Sequence, residues 1–507
     1  MTYPATRVGA GIVVTRLLGL LRERLFAQYF GNGATADAFR AALRIPNVIR
    51  NLLGEGTLSA SFIPAFAGLI ARGDEEGARK LSSVVASLLI VLASLSALAG
   101  IVLAPLIVTA VAPGFPEETK ALTVTLIEIM FPMSGLLVLS AWCLAVLNTH
   151  RRFFLSYSAP AMWNIAQIAT LVALGASLLG TRLVVALAWG ALAGALLQLV
   201  VQLPATFKLV GVPRWSLDLG NPEARRVIRA WIPIVVGAGV LQLSSVIDTQ
   251  LGSLVGQGAV AMLGYAQLLA ILPISLFGIS VAASSLPELA RDVAGGDRDA
   301  LRTRIADGGR QISYFAIPSA FLFASIGWLV IALLFQTGKF GSDDTALVAG
   351  VLAAYSIGLP GQAIVKLLAS GHYAMGDTRT PVRIAAMSLV LSTGLAILLM
   401  RYFGAAGIAL GSSIAIYLNV ALNARALSSK IGSFTDRPSF RTLSVTFAGA
   451  LVATAAGLLA ADLLQFQTLW LRALATLGTF GLTYLLATAA LKHPDARQIM
   501  KVITRLG

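Results

Sequence analysis

The sequence predicts an all-α polytopic membrane protein with about 14 transmembrane helices. Three observations lead to this fold class. Hydrophobic residues make up 57% of the 507 positions and charged residues only 12%, whereas a soluble domain carries about 25% charged residues. The mean hydropathy is high, at +0.82. Apolar stretches of about 20 residues, each long enough to cross a ~30 Å hydrocarbon core, recur along the whole chain.

Turn sequences such as Gly31-Asn32-Gly33 and Gly256-Gln257-Gly258 separate the apolar stretches. Charged residues interrupt the first stretch, so we expect it to be a retained span rather than a cleaved signal peptide. The predicted spans cover residues 6–30, 36–70, 81–111, 121–147, 155–179, 183–207, 228–254, 259–288, 311–335, 346–371, 381–403, 405–424, 442–463 and 470–491.

The net charge of +15 is distributed asymmetrically over the loops. Most of the 38 Lys and Arg residues fall at the termini and in the loops after spans 2, 4, 6, 8, 10 and 12. Because cytoplasmic loops accumulate Lys and Arg, this alternation predicts that both termini are cytoplasmic. Orientation therefore accounts for the positive charge, and we expect no nucleic-acid partner.

An internal repeat at an offset of roughly 224 residues indicates a duplicated unit of about six spans. The sequence Ser61-Phe62-Ile63-Pro64 followed by Gly73-Asp74 matches Ser284-Ser285-Leu286-Pro287 followed by Gly296-Asp297. An even number of spans per unit gives both copies the same orientation, which suits alternating access. We predict an N-terminal lobe over residues 1–210, a C-terminal lobe over 211–430, and two extra helices with a cytoplasmic tail over 431–507.

Charged residues cluster inside the first two spans, where each would cost roughly 2.5–3.5 kcal/mol if it faced lipid. The cations are Arg16, Arg22, Arg24, Arg40, Arg44 and Arg50, and the acids are Glu23, Asp37 and Glu55. Because the cations outnumber the acids, ion pairing alone does not neutralise them. We predict a hydrated cavity that binds a phosphate-bearing lipid, since guanidinium groups grip phosphate oxygens in bidentate fashion. The alternative is a set of ion pairs that only fixes helix packing.

Asp248 lies in the middle of the seventh span with no cation nearby in the sequence. Three roles are open for this carboxyl group. It could coordinate a coupling cation, it could be protonated and hydrogen-bonded, or it could form a salt bridge to another helix. For a coupling site that takes Na⁺ or H⁺, the neutral oxygens would come from Ser388, Ser392 and Ser413. Lys366, a cation inside the tenth span, either snorkels or pairs.

Several chemistries have little support in the sequence. Cys143 is the only cysteine, and His150, His372 and His493 are far apart, so we expect no metal site and no cofactor. No Gly-rich phosphate loop followed by Lys and Ser or Thr is present, so the sequence shows no ATP site. We therefore expect no catalytic residues and a transporter rather than an enzyme.

Motifs spread over residues 7 to 425 resemble those of the MurJ (MviN) lipid II flippases, which belong to the MOP exporter superfamily. The first-helix motif is Thr15-Arg16-Leu17-Leu18-Gly19-Leu20-Leu21-Arg22-Glu23. The others are Asp37-Ala38-Phe39, Arg44-Ile45-Pro46-Asn47, the Arg50-to-Glu55-Gly56 stretch, Ala112-Pro113-Gly114-Phe115, Phe131-Pro132, Leu147-Asn148-Thr149, Phe335-Gln336-Thr337-Gly338-Lys339-Phe340 and Thr380-Pro381.

The resemblance implies two six-helix lobes around a central cavity, with two extra helices forming a lipid groove. It implies a flippase of the bacterial cytoplasmic membrane that moves the undecaprenyl-pyrophosphate-linked peptidoglycan precursor, lipid II, to the outer leaflet. The family's cavity residues carry over onto Arg16, Arg22, Arg50, Asp37 and Glu55. We expect membrane lipids and a lipid-linked glycan as partners, and a monomer.

The sequence departs from the family pattern in the eighth helix. Gln267, Leu268 and Ile271 stand where many members carry charges, and Asn51 replaces a second consecutive Arg. Three alternatives stay open: an exporter of another lipid-linked oligosaccharide, a drug or cation antiporter, and a membrane-embedded glycosyltransferase. A cavity with surplus positive charge would repel organic cations, and duplicated halves argue against the enzyme.

Overall fold

The computed structural model describes residues 3–434 and 437–506, and every regular element among them is helical. The helices are α1 (Tyr3–Phe30), α2 (Ala34–Leu53), α3 (Glu55–Ala71), α4 (Glu75–Val102), α5 (Ala104–Val111), α6 (Glu117–Thr149), α7 (Phe153–Ser158), α8 (Pro160–Leu174), α9 (Gly180–Val210), α10 (Pro222–Val255), α11 (Ala259–Pro273), α12 (Ser280–Ala294), α13 (Arg298–Ser325), α14 (Gly327–Phe335), α15 (Ser342–Ala374), α16 (Arg379–Phe403), α17 (Ala405–Ile431), α18 (Arg437–Leu463), α19 (Leu469–Ala490) and α20 (Pro494–Leu506). A π-helical segment, Ile274–Ile279, joins α11 to α12.

The all-helical polytopic fold is confirmed. Among the described residues, 11 helical segments are long and apolar enough to cross a membrane. The count rises to 12 if α13 and α14, which meet at a 74° bend, form one crossing. The first and fifth predicted spans coincide with α1 and with the α7–α8 pair. The predicted number of about 14 spans is consistent with this helix order.

The chain divides into two compact units. The first contains the residues up to Ala261 together with Thr337–Phe340, and the second contains Met262–Gln336 and the residues from Gly341 onward. The lobe boundaries inferred from the internal repeat, at residues 210 and 430, stay a prediction.

In the first unit, α6 is the central helix and packs against α2, α3, α4 and α9. Its apolar side chains are buried on nearly all sides because Leu, Met and Ala recur around the whole helix. Small residues allow close approach, as where Gly135 on α6 meets Ala93 on α4. Phe62, Phe66 and Trp142 lie in the same buried cluster.

The second predicted span is broken in this unit. It forms α2 and α3, which are separated by Gly54. The amide of Gly54 still donates to the carbonyl of Arg50 at 2.8 Å. A Cβ at position 54 would lie 2.5 Å from that same carbonyl oxygen, so the break requires glycine. The break directly follows the arginine-bearing end of α2.

In the second unit, α15 packs against α12, α13, α17 and the π-helical segment. The helices of the two last predicted spans, α18 and α19, pack against each other and against α13 and α14 respectively. Tyr314, Phe480 and Tyr484 form part of the buried cluster between them. The π-helical segment follows Pro273, whose missing N–H disturbs the regular hydrogen-bond ladder.

Candidate functional site

Glu23 on α1 holds two of the predicted cavity arginines. Its Oε1 accepts a hydrogen bond from Arg22 at 2.6 Å, and its Oε2 accepts one from Arg40 of α2 at 2.8 Å. The Glu23 side chain is only 10% exposed, so the pairs lie in a medium where charge-assisted hydrogen bonds are strong. Two guanidinium groups share one carboxylate, and the trio retains one net positive charge.

Aromatic and amide groups complete the surroundings of these two arginines. The Arg22 guanidinium lies 4.7 Å from the centre of the Trp163 ring and donates to Asn164 Oδ1 at 3.1 Å, both on α8. The Arg40 guanidinium lies 5.2 Å from the centre of the Phe26 ring. Stacking on an aromatic face and a fixed acceptor both reduce the freedom of a guanidinium group. The two cations are therefore held in place before any ligand arrives.

Asp37 does not take part in this pairing. Its side chain is buried, and its two oxygens accept hydrogen bonds from the backbone amides of Gly258 and Ala261, in the segment that follows α10, at 2.5 and 2.8 Å. Backbone amides satisfy a carboxylate without neutralising its charge with a cation. Asp37 thus joins two parts of the first unit, and Glu23 is left to bridge the arginines.

Arg44 reaches from α2 to α10. Its Nε donates to Thr249 Oγ1 at 2.9 Å, and its guanidinium lies near enough to Asp248 to attract it electrostatically. The cation that the sequence does not show beside Asp248 is therefore supplied by another helix. The hydrogen bond itself is to Thr249, the neighbour of Asp248. Both roles of Asp248, pairing with another helix and binding a coupling ion, stay predictions.

Arg50 lies at the end of α2, just before the break at Gly54. Its Nη2 donates to Asn51 Oδ1 at 3.4 Å, which is a long hydrogen bond. Its buried Nε has no hydrogen-bond partner within the described residues. Asn51 in turn donates to Gln242 Oε1 on α10 at 3.4 Å. The buried Nε of Arg50 is thus a donor without a partner among the described residues, which a phosphate oxygen would satisfy.

The remaining predicted cavity residues lie on the same two helices or follow them. Arg16 is exposed and forms no ion pair with any described residue, and Arg24 is half-buried on α1. The side chain of Glu55 lies outside the described part of the chain. Arg16, Arg22, Arg24, Arg40, Arg44 and Arg50 are called the α1–α2 arginine set below. Glu23 pairs directly with two of its members, Arg22 and Arg40.

Ser388, Ser392 and Ser413 are each engaged within the second unit. Ser388 Oγ donates to the carbonyl of Ala415 at 3.1 Å, and Ser413 Oγ donates to the carbonyl of Ala354 at 2.7 Å. Ser392 Oγ shares a hydrogen bond with Ser412 Oγ at 3.0 Å. These bonds connect α16 and α17 to each other and α17 to α15. Their grouping with Asp248 around a cation stays a prediction.

The structure adds polar residues that the sequence does not single out. Asn164 on α8, together with Thr249 and Gln242 on α10, contacts the arginine-bearing helices. The available signal was a polar side chain inside an apolar span, which calls for a hydrogen-bond partner. Lys366 is exposed on α15, and Ile271 is exposed at the eighth-helix position where a charge was expected.

Comparison with known proteins identifies one family along most of the chain. The family model described as lipid II flippase MurJ matches residues 26–481. The lipid II flippase MurJ of Burkholderia cenocepacia is 33% identical over 449 residues, which cover 87% of this chain and 86% of that protein. The probable lipid II flippase MurJ of Rhizobium meliloti is 32% identical over 485 residues, or 94% of this chain and 89% of that protein.

Solved structures match the fold. A lipid II flippase MurJ in an inward closed conformation has a TM-score of 0.79 at 24% identity and covers 96% of this chain and 98% of its own. An inward-facing multidrug resistance transporter of the MATE family and MOP superfamily has a TM-score of 0.69 at 13% identity, with 85% of this chain and 98% of its own covered. These likenesses concern the fold. Together with the sequence match over most of its length, they show that the chain belongs to the MurJ family of lipid II flippases.

Proposed function

We propose that this protein is a flippase that moves lipid II, the undecaprenyl-pyrophosphate-linked peptidoglycan precursor, from the inner to the outer leaflet of the bacterial cytoplasmic membrane. The observation that carries the proposal is the family match over residues 26–481. The helical membrane architecture and the arginine set on α1 and α2 support it. The protein acts as a transporter and forms no covalent intermediate with its substrate.

The pyrophosphate binds to the arginine set on α1 and α2. Glu23 orients both Arg22 and Arg40, and Asn164 also fixes Arg22, so the two guanidinium groups are held in a fixed geometry. Arg50 contributes a buried Nε donor that has no hydrogen-bond partner among the described residues. A pyrophosphate group carries several oxygens that accept bidentate hydrogen bonds from such forks. Arg16, Arg24 and Arg44 add positive charge to the site. Asp37 and Glu55 offset part of that charge.

The polyprenyl chain lies against α18 and α19. Large apolar side chains on these helices are exposed, including Leu451 and Leu459 on α18 and Leu474 and Leu482 on α19. In a bilayer an exposed apolar helix face contacts acyl or prenyl chains rather than water. Contact with the polyprenyl chain is thus the function that we assign to α18 and α19, the two helices outside the predicted duplication.

Alternating access requires an energy source. The membrane potential supplies about 2.3 kcal/mol per charge per 100 mV, which acts directly on an anionic headgroup. A coupling Na⁺ or H⁺ at Asp248, with oxygens from Ser388, Ser392 and Ser413, is the second source that we consider. A cation that binds Asp248 competes with Arg44 for the same carboxylate, and this competition would link cation binding to the arginine set.

Complementation of a strain depleted of its own flippase tests the proposal. We expect Arg22→Ala to abolish rescue, because it removes one of the two cations that Glu23 holds. Arg79→Ala, which removes an exposed cation of the surface pair with Glu75, is the matched control and retains rescue. Asp248→Asn tests the coupling site: retained rescue contradicts a required carboxylate there.

A vesicle assay separates transport from synthesis. Purified protein in proteoliposomes is expected to transfer intact lipid II between leaflets without changing its mass. An elongated glycan product would contradict the flippase assignment and favour a glycosyltransferase. Export of an organic cation without lipid transfer would favour the antiporter alternative.

A further inference from the structure

A cavity of about 710 Å³ opens in the first unit where α6, α7 and α9 come together. The turn after α6 and the start of α7 form one wall, and the C-terminal part of α9 forms the other. The lining contains no residue of the α1–α2 arginine set. The cavity therefore needs an explanation separate from the proposed substrate site.

The charge of this cavity is of one sign. Arg151 and Arg152 lie on one wall and Lys208 on the other, and no acidic residue lines the cavity. Across the described residues, none of these three cations forms an ion pair, whereas Arg72 and Arg79 of the same unit pair with Glu223 and Glu75. Three unneutralised cations around one cavity attract an anion.

The backbone that presents Arg151 is under strain. Its φ is +59°, in the left-handed region that usually belongs to glycine. The turn after α6 is closed by the amide of Arg151 donating to the carbonyl of Asn148 at 3.0 Å and the amide of Arg152 donating to the carbonyl of Leu147 at 2.8 Å. This pattern ends helices and strongly favours glycine at the position that Arg151 occupies. An arginine at this position therefore strains the backbone, which a glycine would not do.

The α9 wall carries an apolar stripe that ends in a cation. Leu197, Val201, Pro204 and Lys208 recur at intervals of three or four residues, so they share one helix face. Leu197 is 47% exposed and Val201 is 41% exposed, and the face ends at the exposed Lys208. An apolar stripe that ends in a cation matches a molecule with an acyl chain and an anionic head.

We propose that this cavity binds an anionic phospholipid of the bilayer, distinct from the transported substrate. The lipid phosphate binds Arg151, Arg152 and Lys208, and an acyl chain lies along Val201 and Leu197. Arginine forks and a lysine ammonium are the groups that recognise phosphate at membrane interfaces. A zwitterionic lipid carries its own cation and gains less from these residues. A soluble anion gains nothing from the apolar stripe.

Lipid binding to the purified full-length chain, measured by native mass spectrometry, tests the proposal. Phosphatidylglycerol is compared with phosphatidylcholine of the same acyl chains. We expect phosphatidylglycerol to bind more tightly. Each of Arg151→Gly, Arg152→Gln and Lys208→Gln should weaken its binding roughly fivefold, and the triple variant should weaken it on the order of 100-fold. Arg214→Gln, which removes an exposed cation outside the cavity lining, should leave binding unchanged.

Arg151→Gly separates binding from folding. Glycine suits the left-handed turn, so this variant should melt at the same or a higher temperature than the wild type without lipid. Equal binding of the two lipids, or wild-type binding by the triple variant, would overturn the proposal. Complete competition by inorganic phosphate at equal concentration would also overturn it, because the site would then be one for a free anion.

Discussion

Glu23 bridges two arginines, one on α1 and one on α2. It accepts hydrogen bonds from Arg22 and Arg40 in a buried environment, while Asp37 is occupied by backbone amides. The family resemblance carries Asp37 and Glu55 over as cavity residues, but not Glu23. In the structure, Glu23 pairs with arginines and Asp37 accepts hydrogen bonds from backbone amides. The buried Nε of Arg50 has no hydrogen-bond partner among the described residues.

We therefore expect Glu23→Gln to destabilise the protein by about 3 kcal/mol, because two guanidinium groups would face each other without a carboxylate between them. The measurement is thermal unfolding in detergent. Glu75→Gln, which removes the acid of an exposed pair on α4, is the control and should have no measurable effect. Equal stability of the two variants would show that Glu23 does not bridge the arginines.

The residues of the candidate site could be predicted only in part. Charge at membrane depth is costly, so the α1–α2 arginines and acids stand out in the sequence. Their partners could not be found in this way, because Asn164 and Thr249 come from helices distant in the chain. An uncharged polar residue in a span has many possible partners, and only the tertiary structure selects one.

The helices themselves were well predicted, since long apolar stretches are the strongest sequence signal. The breaks within them were not. Gly54 divides the second span, and a 74° bend separates α13 from α14 at Ile326. The residues on both sides of such a break face the same apolar lipid or protein environment, so the sequence stays apolar across it. Hydropathy alone therefore does not reveal the break.

The close packing of α16 against α17 in the second unit can be tested by substituting glycines. A Cβ at Gly411 on α17 would lie 2.6 Å from the amide nitrogen of Ala396 on α16, whereas a Cβ at Gly394 on α16 meets nothing within 4 Å. Gly411→Ala should force the helices apart and destabilise the protein by roughly 1–3 kcal/mol. Gly394→Ala should be neutral or slightly stabilising. Thermal unfolding compares them, and equal effects would contradict the packing.

The buried imidazole of His493 gives the second unit a pH dependence. The ring stacks on Tyr314 at 4.6 Å, and its Nε2 hydrogen-bonds Thr446 Oγ1 at 3.2 Å. Burial lowers the pKa of His493 below its usual value of about 6.5, Arg310 lowers it further, and Asp495 opposes the shift. The native state therefore binds fewer protons than the unfolded state just below pH 6.5. Stability should fall as the pH drops through this range.

Melting temperatures at about pH 7.5 and about pH 5.5 measure this effect. The wild type should lose more stability over this interval than His493→Gln, which keeps a polar group but does not titrate. Other groups titrate equally in both proteins and cancel in the comparison. An identical pH dependence of the two proteins would show that His493 does not hold its neutral form in the native state.

At the scale of the whole molecule, the alternation of positive charge predicts which loops face the cytoplasm. The single cysteine, Cys143, is buried, so a membrane-impermeant maleimide should not label the wild type. Glu118→Cys, at an exposed position before the fourth span, should be labelled in intact cells. Glu76→Cys, at an exposed position in the first turn of α4, should be labelled only after permeabilisation. The reverse labelling pattern would contradict the predicted topology.

The central claim is that surplus guanidinium groups on α1 and α2 bind a pyrophosphate-linked lipid. The most direct measurement is the affinity of the purified protein for a polyprenyl-pyrophosphate-linked glycan and for its monophosphate counterpart. The wild type should prefer the pyrophosphate, and Arg50→Gln should weaken its binding about tenfold or more, since a hydrogen bond to a charged group contributes about 1.5–3 kcal/mol. Arg79→Gln should bind like the wild type. Equal affinity for the two lipids, unchanged by Arg50→Gln, would contradict the claim.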